Sequence, residues 1–143
     1  MDTRIYGATD LKTRRTELLG AAMKDRALIR AVDGTALVLT RLDRVEAQAC
    51  VAEWSLRLRA ATHGSMPPEL AWLDVLDDED RDLCMGELWG ALEKVRSDDD
   101  RSAFDELLRA WRTTAATLDD PRRRDVLLGS FLEDDFVPAS RPE

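Results

Sequence analysis

Residues 28–41, "LIRAVDGTALVLTR", constrain the fold more than any other stretch. Two β-rich runs, LIRAV and TALVLTR, are separated only by Asp33-Gly34. Asp-Gly between such runs is the strongest short hairpin signal, because both central residues of a two-residue turn take positive φ. The segment before it supplies a strand and a helix. "TRIYG" (Thr3–Gly7) alternates and carries Ile and Tyr, which predicts a short strand. Thr9 then stands as a helix cap, with Asp10 in the first turn. Leu11, Arg15, Leu18, Leu19, Ala22 and Met23 trace one helical face, and the helix fades near Lys24–Arg26. Lys12 and Arg14 lie off that stripe, towards solvent. The first 42 residues therefore read β-α-β-β, with the two later strands antiparallel.

The rest of the chain reads as helix. Asp43 is expected to cap a helix over "RVEAQACVAEWSLRLRAAT", and Gly64 suits the left-handed position that closes it. "GSMPPE" (Gly64–Glu69) is the clearest linker, with Gly, Ser and two prolines in six residues. Beyond it, "PELAWLDVL" reads as a short helix or turn. Asp77–Ser97 carries an apolar face through Leu83, Gly86/Leu88, Leu92 and Val95. Asp98–Leu118 carries a cleaner one through Phe104, Leu107, Leu108, Trp111 and Ala115. Asp120-Pro121 opens a last helix, "PRRRDVLLGSFL", before a proline-bearing tail. The expected class is α+β: a β-α-β-β domain over residues 1–63, a linker over 64–69 and an acidic, all-α region over 70–143.

Charge divides along the same line. Residues 1–60 hold 11 Lys and Arg against 8 Asp and Glu, a net of +3, whereas residues 61–143 hold 10 against 21, a net of −11. A basic front and an acidic back suggest two partners, although a solvated helical surface accounts for the acids equally simply. Hydrophobic content of 44% supports a folded core. No run of about 18 apolar residues exists and the N-terminus lacks an apolar targeting core, so a soluble, cytoplasmic protein is expected, with no membrane partner. Cys50 and Cys84 read as free buried thiols. The lone His63 and the absence of a Gly-rich phosphate loop, GxSxG or HExxH argue against an enzyme, a metal site or a cofactor. The acidic runs "DDED" and "DDD" fall at helix starts, where Asp is favoured by capping and by the dipole.

Two constellations remain. Lys12, Arg14 and Arg15 crowd a helix start, which already carries the positive pole of the helix. Cations cost a little there unless an anion sits against them. Free backbone N–H groups, the dipole and mobile cations together make a phosphate-binding arrangement, which Arg4, and Arg30 or Arg41 on the hairpin, would extend. The plainer reading makes them solubilising residues, with Arg15 burying its stem. Trp54, Trp72, Trp89 and Trp111 each lie on or beside an apolar stripe, where core packing is the default. Trp72, Trp89 and Trp111 also sit among acids, as apolar anchors with an acidic rim do on a partner-binding surface.

"ATDLKTRRTELLGAAMKDRALIRAVDGTALVLTRLDRVEA" resembles the N-terminal domain of prevent-host-death (Phd/YefM-type) antitoxins, over Thr3 to about Ala49. Thr9 falls on the capping Ser/Thr, Lys12 on the basic position, Arg14 on the Asn/Arg position and Glu17-Leu18-Leu19 on the helix signature. Gly34 falls on the hairpin glycine and Val38-Leu39 on its second strand. The usual Lys/Arg-Pro after that glycine is Thr35-Ala36, the usual Arg-Arg or Arg-Asn before it is Val32-Asp33, and Arg15 replaces an apolar residue. These departures take cations off the hairpin and leave the helix start intact. The resemblance implies a homodimer or higher even oligomer that binds operator DNA through Arg4, Thr9, Lys12, Arg14 and Arg15 and represses transcription. The acidic half would neutralise a cognate toxin. The alternative is an orphan DNA-binding regulator or interaction module, with a self-contained helical domain and no toxin.

Overall fold

The computed structural model describes residues 4–122. Thr3 of the expected first strand, most of the helix expected from Pro121 and the tail lie outside them. The fold is α+β: a three-stranded sheet at the N-terminus followed by helices. In order come β1 (Ile5–Gly7), α1 (Asp10–Thr13), α2 (Arg15–Lys24), β2 (Arg26–Arg30), β3 (Ala36–Thr40), α3 (Leu42–Thr62), a 3-10 segment (Pro68–Val75), α4 (Asp78–Asp98) and α5 (Ser102–Asp119). The described residues divide into two compact units, 4–54 with Leu92–Arg101, and Ser55–Ala91 with 102–122.

In the first unit β2 is the central strand, parallel to β1 and antiparallel to β3. The register places Tyr6 beside Ile29 and Ile29 beside Leu37. Tyr6, Ala27 and Ile29 are buried with Leu18 and Ala22 of α2, and Ala21 and Leu39 pack against that cluster. Because side chains alternate across a strand, the neighbouring row Ile5–Leu28–Val38 faces the other way. Ile5 and Val38 are 59% and 57% exposed.

The single expected helix is two. Arg14, at φ −129° and ψ 33°, interrupts it and separates a four-residue α1 from α2. The break re-aims the buried face. Leu18, Ala21 and Ala22 turn inward, while Leu11, Arg15, Leu19 and Met23, expected on the buried stripe, are exposed. Thr9 is also not the side-chain cap. A capping residue has an extended backbone, whereas Thr9 is helical (φ −66°, ψ −27°) and its hydroxyl caps nothing. Its carbonyl accepts from the Lys12 and Thr13 N–H groups, and the nearby Asp10 carboxylate accepts from the Gly7 N–H at 2.7 Å.

The hairpin forms where expected, with a different turn. Arg30 pairs with Ala36, and the Ala31 N–H donates to the Thr35 carbonyl at 2.8 Å. Three residues, Val32–Gly34, lie between that last pair. The Gly34 N–H donates to the Ala31 carbonyl, and Gly34 has φ +87° while Asp33 does not have positive φ. A turn closed by one left-handed glycine is the three-residue solution, and the Asp33 carboxylate fastens it by accepting from the Thr35 N–H at 2.9 Å.

α3 starts at Leu42, so Asp43 lies in its first turn rather than at its cap. Arg44 ties this unit together, pairing with Asp25 at the end of α2 (2.6 Å) and with Asp99 just after α4 (3.0 Å). At the other end of α3, Gly64 has φ +84° and the Ser65 N–H reaches the Ala60 carbonyl, a Schellman closure.

The second unit buries Leu58, Leu70, Leu73, Leu76, Cys84, Leu88, Phe104, Leu108 and Ala115, and its α5 packs on the 3-10 segment. Asp77 caps α4 by accepting from the Asp80 N–H at 2.8 Å. Leu83, expected on the apolar face, is 54% exposed, and its neighbour Cys84 takes the buried place. Burial, with Glu87 nearby, pushes the Cys84 thiol up to about 12 from an ordinary 9.0. The folded state thus keeps a proton that the unfolded chain releases first. Stability is full below pH 9 and is lost as pH climbs from there towards 12. Moving from pH 8 to pH 10 is expected to cost about 1 kcal/mol from this group, read as the urea midpoint. A Cys84→Ala variant that shows the same decline would refute the assignment.

Candidate nucleic-acid interface

The cations singled out in the sequence are organised by one buried ring and one carboxylate. Tyr6 on β1 is 3% exposed. The guanidinium carbons of Arg4 and Arg14 each lie 5.7 Å from its ring centroid, within cation–π range. Both arginines converge on Glu17. Arg14 donates from Nε to Oε2 at 3.0 Å and from Nη2 to Oε1 and Oε2 at 2.8 and 2.7 Å. Arg4 Nη1 donates to Oε1. The helix break explains the geometry. Arg14 occupies the capping position of α2, and Glu17 lies three residues on, in the first turn. A carboxylate there faces the helix's positive end, and an i,i+3 pair shares a face.

Lys12 on α1 and Arg15 at the start of α2 are exposed. Thr9 is exposed as well and participates through its backbone. The structure thus brings Arg4 and Arg14 together across Glu17 and leaves Lys12 and Arg15 as outlying cations. α1 has only four residues, too few aligned peptide dipoles to act as the anion-attracting helix start expected at Thr9. Side-chain charge carries the site instead.

The hairpin arginines are engaged locally. Arg30 Nη1 donates to the Gly34 carbonyl at 3.3 Å, and Arg41 pairs with Asp43, whose carboxyl it holds below the usual carboxylate range. Sequence reasoning missed Tyr6 and Glu17 as organisers of the cations. The i,i+3 spacing of Arg14 and Glu17 was the available signal, and Arg4 needed the parallel register of β1 to be placed.

In the second unit Trp72, Trp89 and Trp111 are half-buried. The Trp72 indole N–H donates to the Glu69 carbonyl at 2.9 Å, and that of Trp111 to the Glu87 carboxylate at 2.7 Å. Of the three, Trp111 is the one whose indole meets an acidic side chain. Trp54 is buried. Among the described residues no group of three or more His, Cys, Asp or Glu is placed to hold a metal ion, and no helix is long and apolar enough to cross a membrane. Compared with known proteins, the chain matches no family model, no curated protein and no solved structure.

Proposed function

We propose that this chain is a Phd/YefM-type antitoxin, a cytoplasmic, non-enzymatic protein that uses no cofactor. As a dimer it binds operator DNA through the Arg4–Arg14 pair with Lys12 and Arg15, and so represses its own transcription. Its acidic helical half, through Trp72, Trp89 and Trp111, occupies a cognate toxin. The observation that carries the reading is the convergence of Arg4 and Arg14 on a single anion position within a strand–helix–hairpin unit. Guanidiniums so placed suit a phosphodiester, which presents two oxygens to a planar fork of donors. The row Ile5–Leu28–Val38, exposed at Ile5 and Val38, supports a dimer, since a small sheet with an open apolar face gains by covering it.

The test is titration of the full-length protein onto a 30-base-pair duplex taken from upstream of its own reading frame. With about four to eight phosphates neutralised, raising salt from 50 to 200 mM is expected to weaken binding by roughly 10²- to 10⁴-fold. Failure to bind duplex at 50 mM salt, or a monomer at micromolar concentration, overturns the reading. A second reading, an orphan regulator with a self-contained helical module, is favoured by the second unit's own buried core, which includes Leu70, Leu73, Leu88, Phe104 and Leu108. A small toxin reading frame beside this one decides for the first; its absence decides for the second.

A further inference from the structure

Glu17 occupies the place where the cation site would hold its anion. Its Oε1 accepts from both Arg4 and Arg14, and its Oε2 accepts from two donors of Arg14. Two oxygens bridged by two guanidiniums is also how a phosphodiester's non-bridging oxygens are met. The cluster of Arg4, Arg14 and Glu17 therefore carries +1 where the arginines alone would carry +2. The side chains are 57%, 35% and 42% exposed, so the pairing is open to exchange with a solution anion. The Nε and Nη2 donors of Arg14 point at Glu17, and a phosphate that takes them must displace it.

We infer that Glu17 is an internal anion mimic that sets the affinity of this site for phosphates. It keeps the arginines gathered over Tyr6 and yields only to a polyanion that also engages neighbouring cations such as Lys12 and Arg15. An isolated phosphate meets a site already filled. A duplex that offers several phosphates at once gains enough from the outlying cations to displace the carboxylate. Glu17 thus acts through the arginines, as a positioning and specificity-determining residue. The inference rests on the reading of Arg4 and Arg14 as phosphate contacts.

The experiment compares the full-length protein with Glu17→Gln and Glu17→Ala on two probes. The first is sodium tripolyphosphate, followed by calorimetry; the second is a 30-base-pair duplex of arbitrary sequence, followed by fluorescence anisotropy at several salt concentrations. Urea midpoints establish that the variants are folded. Glu17→Gln is expected to bind tripolyphosphate about three- to fivefold more tightly, the scale of one exposed ion pair removed from competition. On the duplex its affinity should rise by a similar factor with the salt slope unchanged, because the wild-type site already neutralises the same phosphate once the carboxylate is displaced. A merely structural role for Glu17 would not tighten the binding of either probe. Unchanged or weaker tripolyphosphate binding in both folded variants overturns the inference, as does its failure to bind any of the three proteins. If tripolyphosphate binding tightens while no protein binds duplex, the mimic stands and the operator-binding reading falls.

Discussion

Replacing Leu18 by alanine is expected to destabilise the first unit by about 3 kcal/mol, within the roughly 2–5 kcal/mol range for buried leucines. Leu18 is fully buried, and two of its four partners in the sheet–helix cluster, Ala22 and Ala27, are alanines. Little neighbouring side chain is available to fill the void, so the cavity persists and the cost approaches the transfer and cavity terms together. That loss is large against a total of about 5–15 kcal/mol. It should also reach the cation site, because Leu18 adjoins Glu17 in sequence and holds α2 against β2 and β3. Urea unfolding followed by far-UV circular dichroism measures the loss. Leu19→Ala is the control: Leu19 is 48% exposed and should cost less than about 1 kcal/mol. Equal losses at the two positions would mean that α2 does not present this face to the sheet.

That pair of leucines also shows how far the sequence could be read. Apolar periodicity located a helix between Asp10 and Lys24 but counted Leu18 and Leu19 on the same stripe. The interruption at Arg14 decides between them, and no local signal marks it: the residue is neither Gly nor Pro. The hairpin was legible because β-rich runs and a glycine act within a few residues of chain. Its loop length was less so, because Asp-Gly serves both a two-residue turn and a longer one closed by the glycine alone. In α4 the 3.6-residue period set by Leu88, Leu92 and Val95 falls on Cys84 and not on Leu83, about 100° further round the helix; weighting leucine over cysteine as the apolar residue misplaces the stripe, and the structure buries the cysteine. The cations of the site were visible as composition. Their grouping was not, because Arg4 meets Glu17 only once β1 pairs with β2 and α2 folds over them.

The double substitution Lys12→Ala/Arg14→Ala is expected to weaken duplex binding roughly 50- to 100-fold at 0.1 M salt and to lower the salt slope by about two. Each lost phosphate contact removes about 0.9 from the slope, close to one decade of affinity at that salt concentration. The two residues should not contribute alike. Lys12 is an exposed cation on the four-residue α1, so Lys12→Ala removes one charge and little else. Arg14 shares Glu17 with Arg4, and its removal leaves that carboxylate to Arg4 alone. The local charge then falls from +1 to zero, and the remaining guanidinium is held by its own counter-charge. Arg14→Ala should therefore cost more than Lys12→Ala, and adding Glu17→Gln to it should restore part of the loss. Anisotropy titrations of the two single variants, the double and the Arg14→Ala/Glu17→Gln pair resolve the order. A folded double variant with unchanged affinity and slope would place the DNA contact elsewhere on the chain.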